Sequence, residues 1–250
     1  MAKGRRYEEL TLSETEPWQV QSGSALALDD ARTAPFQVSH SARHALTVAV
    51  DHMHCLRTSL FSEGSEGVSA RVHTHAQYSL LRGVIENAAR AVWLLAPDFR
   101  QLRIERRLAL QAKEVKSSTR MHERLGVTPA RSEVERLDEL KGLLIASGTP
   151  TTAIKQALSA PTYTDIVKCA GEHTPLGETL AETVWSACSS LAHGDITGTL
   201  GVLPREIVAM EQSVSVVRIT GGVETMHYMA FVAVAILDHG FMLYRRRSLP

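Results

Sequence analysis

Residues 73–95 read HTHAQYSLLRGVIENAARAVWLL. Apolar side chains recur at Leu81, Val84, Ile85, Ala88, Val92 and Leu95, a three-and-four spacing that places them on one face of a helix. Beside that face, Tyr78, Arg82, Glu86 and Arg90 repeat every four residues and form a polar strip one turn apart. A helix so apolar belongs in a core. The charged strip is then either a solvated flank or a polar network inside a helical bundle, and the stretch alone leaves both open.

Working outward, Phe36 to Phe61 carries a second amphipathic pattern, with Val38, Ala42, Ala45, Leu46, Ala49, Met53, Leu56 and Leu60 on one side. Residues 1–35 are polar, aperiodic and broken by Pro17, Gly23 and Pro35, which reads as an arm pinned by Trp18 and the short run Ala25 to Leu28. The segment FSEGSEG (61–67) reads as a loop. Pro97 ends the central helix, and Asp98 is placed to cap the next, Phe99 to Leu125, which Gly126 stops. A fourth helix opens near Thr128-Pro129 and presents Val134, Leu137, Leu140, Leu144 and Ile145. Two short pieces follow, Thr152 to Leu158 and Tyr163 to Gly171. A helix then resumes at Gly177, with Leu180, Val184, Ala187, Cys188 and Leu191 inward and Gly194 as the left-handed residue beyond its C-terminus. Val214 to Ile219 reads as a short strand or an extended connector, and the last helix closes at Arg245-Arg246-Arg247, cations suited to the negative end of a helix dipole.

Six or so helices with at most one short strand cannot build a sheet layer, so the expected fold is all-α, a multi-helix bundle. The expected organisation is a polar N-terminal arm over 1–35 and a single helical-bundle domain over 36–250, a length that buries a sizeable core. Lys plus Arg and Asp plus Glu both total 27, which removes any global field toward nucleic acid or membrane. Met226 to Tyr244 is apolar, but its uncharged run is too short for a span of about 20 residues and Asp238 interrupts it, so it reads as a buried core helix. No membrane partner is therefore expected. The basic start is followed by no apolar run, and a cytoplasmic location is the expectation. Cys55, Cys169 and Cys188 form no CxxC pair and read as reduced thiols.

Three constellations bear on chemistry. His40, His44, Asp51 and His54 share one face of the second helix, with His73, His75 or Glu86 as conceivable partners for a metal; without HExxH or paired ExxH, a solvated face is the first reading. No metal and no cofactor is expected. The helix Phe99 to Leu125 carries Arg106, Lys113 and Arg120 every seven positions, candidates for phosphate contacts to RNA, although Glu105, Glu114 and Glu123 interrupt the charge. In WSACSSLAHGD (185–195), Ser189 or Ser190 lies one turn before His193, but no G-x-S-x-G elbow is present.

LLRGVIENAARAVWLL (80–95) together with WSACSSLAHGD resembles a broad class of bacterial all-helical proteins, distantly like the HEPN helical bundles. In that class an Arg-x-x-x-Glu pair precedes, by about a hundred residues, a helix with a serine and a histidine before glycine. The resemblance implies one interhelical polar site of Arg82, Glu86 and His193. It departs in one respect: catalytic HEPN ribonucleases carry an arginine four to six residues before the histidine, and here Ser186 to Ser189 contain none. The first expectation is therefore a noncatalytic binding or assembly module, with homodimerisation the expected form of interaction. The alternative is a metal-independent ribonuclease acting through Arg82 and His193 with the basic helix as its RNA track, and the second alternative a helical-bundle metalloprotein.

Overall fold

The periodicities above are realised in a computed structural model that describes residues 7–9, 11, 18–64 and 67–250. Helix α1 (Ala25–Thr33) starts where the Ser24 hydroxyl accepts from the Ala27 amide. It is followed by α2 (Val38–Leu60), a hairpin of β1 (Phe61–Gly64) and β2 (Gly67–Ala70), and α3 (Ala76–Leu95). Next come α4 (Arg100–Leu125), α5 (Glu133–Ser147), a single 3-10 turn running into α6 (Ile154–Ala157), and α7 (Tyr163–Glu172). The chain ends with α8 (Glu178–His193), α9 (Ile196–Val202), a second hairpin of β3 (Arg205–Glu211) and β4 (Val214–Ile219), and α10 (Val223–Ser248).

Helix α3 is the hub. Leu81, Val84, Ile85, Ala88, Val92 and Leu95 are all fully buried, and α2, α10, α7 and α8 pack around them. At Gly83 the His52 ring of α2 lies over the helix, 2.0 Å from where a Cβ would stand, so a side chain here would have to displace the imidazole. A smaller core joins α4 to α5 through Ile104, Leu108, Leu140 and Leu144. Helix α10 is long and apolar enough to cross a membrane by length and composition, yet Val232, Ile236 and Leu243 are buried in the main core, and the helix packs on α3.

The C-terminal carbonyls of α3, which have no partner within the helix, are held by three arginines from elsewhere in the chain. Arg247 donates to the carbonyls of Leu95, Ala96 and Pro97 at 3.0–3.3 Å and to the Asp98 carboxylate at 2.8 Å. Arg103 donates to the carbonyls of Pro97 and Asp98, and Arg106 to that of Trp93. Cations at the negative end of a helix dipole are stabilising. One expectation is corrected here: Asp98 answers Arg247, while Phe99 occupies the N-cap of α4 without a side-chain cap.

The all-α expectation with at most one short strand is also corrected. The chain is 71% helical but contains two small two-stranded antiparallel sheets, β1 with β2 and β3 with β4. FSEGSEGVSA lacks apolar alternation, and the structure gives it little to bury: β2 is exposed throughout and Phe61 is half-buried. Around Val214 to Ile219 one strand was legible, but its partner REIVAME breaks alternation with a bulge between Ile207 and Ala209. Within the stretch expected to be an arm, Trp18 is buried and Ala25–Thr33 is helical, while Tyr7 stacks on Phe241 at 4.6 Å. Residues 1–6, 10 and 12–17 of that stretch lie outside the described residues.

Candidate functional site

The polar strip of α3 divides among three environments. Arg82 and Glu86 stand one turn apart, and the Arg82 Nε donates to Glu86 Oε1 at 2.7 Å. The same carboxylate oxygen accepts from Trp185 Nε1 of α8 at 3.0 Å. Arg82 Nη1 lies 2.8 Å from His193 Nε2. A guanidinium has only donors, so this imidazole nitrogen accepts, and a neutral His193 then carries its proton on Nδ1. The three residues expected to meet are therefore in one hydrogen-bonded chain, with Trp185 added.

His193 reaches this position because α8 ends there. Gly194 takes a left-handed conformation at φ 71°, and its amide turns back to the carbonyls of Leu191 and Ser190, leaving the imidazole exposed on the last turn. Trp185 lies two turns earlier, on the same face. That eight-residue spacing from His193 is the signal the sequence carries for Trp185, although an aromatic on an amphipathic helix is more often a core residue. Among the described residues, no side-chain hydrogen bond joins Ser189 or Ser190 to the His193 imidazole, so no nucleophile and base pair is assembled.

Tyr78, the first member of the strip, is fully buried and its hydroxyl has no partner among the described residues. Burial pushes its pKa up to about 12, and that of the Cys188 thiol likewise to about 12. A buried hydroxyl without a partner carries a desolvation penalty of roughly 1–3 kcal/mol. Tyr78→Phe is therefore expected to raise the urea midpoint, reversing the usual sign for a core substitution; a lower midpoint would show that the hydroxyl is satisfied. Arg90, the last member, donates to the Tyr163 hydroxyl and lies 5.6 Å over that ring.

The remaining candidates are dispersed. His40, His44, Asp51 and His54 are exposed along α2, and His54 pairs with Glu8 at 3.2 Å. Among the described residues, no three His, Cys, Asp or Glu side chains are grouped as a metal site would require. The basic stripe of α4 does not form a continuous track. Arg106 is half-buried, turned to the Trp93 carbonyl and ring; Lys113 lies 5.0 Å over Tyr163; Arg120 is exposed and bonds Ser117 at 3.3 Å. Arg103 and Arg107, which lie off that seven-residue line, are buried on the face that α4 packs inward with Ile104, Leu108, Ala112 and Val115.

Compared with known proteins, the chain matches no protein-family model, no curated protein and no solved structure.

Proposed function

We propose that this protein is a noncatalytic, cytoplasmic interaction module that assembles with a second copy of itself through the β3–β4 ribbon. The observation that carries the proposal is the ribbon's apolar exposure. Ile207 is 62% exposed, Met210 65% and Val214 64%. Ile207 lies opposite Val217 and Ala209 opposite Val216, and successive strand residues point to opposite faces, so apolar groups stand on both sides. The two-residue turn at Gln212 and Ser213, both with positive φ, closes the hairpin tightly. A lone two-stranded ribbon is marginal in water, and its exposed strand edges offer backbone donors and acceptors.

A second copy is the favoured occupant because the charges on the ribbon cancel: Arg218 reaches Glu206 at 3.3 Å, leaving no field to attract an acidic or basic partner. A self-complementary apolar patch suits a two-fold interface. Val223, Tyr228 and Phe231, in the first turns of the helix that follows the ribbon, are also exposed. In this reading the Arg82–Glu86–His193–Trp185 chain is structural and fastens α8 to α3.

Sedimentation equilibrium tests the assembly. The wild type is expected to give a dimer mass, and Ile207→Lys with Val216→Lys a folded monomer of wild-type helical circular dichroism whose melting temperature does not depend on concentration. A monomeric wild type at every loading concentration contradicts the reading.

One observation favours ribonuclease chemistry as the second reading: Arg82 reaches the exposed His193 from a neighbouring helix and so could take the place of the arginine absent from α8. Against it, Arg82 is already ion-paired with Glu86 and occupies the lone pair that a general base would need. Cleavage of a single-stranded RNA that disappears in folded His193→Ala would establish the enzyme reading. If instead Arg82→Ala lowers the melting temperature and the wild type cleaves nothing, the network is structural.

A further inference from the structure

An open groove of about 560 Å³ lies along α4 and the 151–161 segment, a size typical of small-molecule sites. Its walls are largely apolar, including Leu102, Ala109, Ala157 and Pro161, and Trp93 and Arg106 also line it. The Arg106 guanidinium stacks 4.7 Å from the Trp93 ring and donates to the Trp93 carbonyl and to Cys169 Sγ, but no carboxylate among the described residues pairs with it. Burial holds its pKa below the ordinary value, with only the Cys169 thiol acting in the other direction.

Two more cations stand nearby without an acidic partner among the described residues. Lys113, one turn along α4 from Ala109, lies 5.0 Å over the Tyr163 ring, and Arg90 lies 5.6 Å over the same ring. The acidic residue lining the groove, Glu105, is engaged by Thr149 at 2.9 Å and by Gln101 at 3.2 Å. An arginine half-removed from water and lacking a counter-ion is a strong receptor for carboxylate or phosphate, and its neighbouring rings offer flat apolar contact.

We propose that the Trp93–Arg106 groove binds a small organic anion bearing a planar ring, with the carboxylate or phosphate against Arg106 and the ring along Trp93 and the aliphatic wall. This site is separate from the ribbon and does not depend on assembly. Isothermal titration of the full chain with phenyl phosphate, benzoate, inorganic phosphate and benzyl alcohol tests it. At least one aromatic anion is expected to bind at least tenfold more tightly than inorganic phosphate or the neutral alcohol, and the better of the two identifies the preferred head group. Arg106→Gln should weaken that binding about tenfold, a change of roughly 1.4 kcal/mol. Because Arg106 also holds the Trp93 carbonyl, a second variant guards against misfolding: exposed Gln156→Trp fills the groove and is expected to abolish binding with the fold intact. The proposal is overturned if neither aromatic anion binds, if inorganic phosphate binds equally well, or if Gln156→Trp binds as the wild type does.

Discussion

Replacing Arg103 by methionine is expected to cost about 3–5 kcal/mol of folding stability, because it leaves a carboxylate buried without its partner. Asp29 is 0% exposed and Arg103 2%, joined at 2.6 and 2.9 Å through both carboxylate oxygens. Burial pushes the Asp29 carboxyl above its ordinary value, although Arg103 and the more distant Arg100 pull it back. Taking two such charges out of water costs about as much as their attraction returns, so a buried pair contributes little net stability while the loss of either member is costly. Asp29→Leu should likewise destabilise strongly, because it strands the buried Arg103 guanidinium. The double replacement Asp29→Leu with Arg103→Met should cost less than the two single losses together, since no charge is stranded. It should not restore the wild type, because Arg103 also closes the carbonyls of Pro97 and Asp98. Urea unfolding of all four proteins reads the coupling; strictly additive losses would show that the pair does not act as one unit.

The second large effect is expected at Gly171, where α7 meets the start of α8. A Cβ there would lie 2.6 Å from the Gly177 carbonyl oxygen, 2.8 Å from Ala181 Cβ and 3.0 Å from Glu178 Cα. These are backbone and helix-anchored atoms that cannot swing aside. In an exposed helix, glycine to alanine gains about 1 kcal/mol from propensity. Here the sign should reverse, with a loss of roughly 1–3 kcal/mol from overpacking, and more for Gly171→Leu. Thermal melts of the two variants measure it, and an unchanged or raised melting temperature for Gly171→Ala would mean that α7 and α8 are not held this closely.

Legibility from sequence followed the range of the interaction. The course of α3, its buried face and the Arg82–Glu86 pair are local, set by spacings of three and four, and they were readable from residues 73–95 alone. Gly194 was readable as a left-handed terminus for the same reason. The approach of His193 to Arg82 spans 111 positions and was anticipated through a resemblance, whereas periodicity alone could not supply it. The Asp29–Arg103 pair, 74 positions apart, left no trace, because an aspartate in a polar segment and an arginine in a basic helix each read as solvated. The orientation of the basic stripe of α4 was not legible, for the converse reason. Period seven aligns side chains without telling whether the line faces water, and half-buried Arg106 answers a helix C-terminus and an aromatic ring. The ribbon was half legible: its second strand showed extended character, and the bulge in the first concealed the pairing.

The proposed assembly is tested most directly by amide hydrogen exchange over residues 205–219 across a dilution series of the wild-type chain. A ribbon that pairs with a second copy should be protected at high concentration and lose that protection on dilution, while the amides of α3 stay protected throughout. Exchange at the ribbon that is equally fast at every concentration would contradict the account.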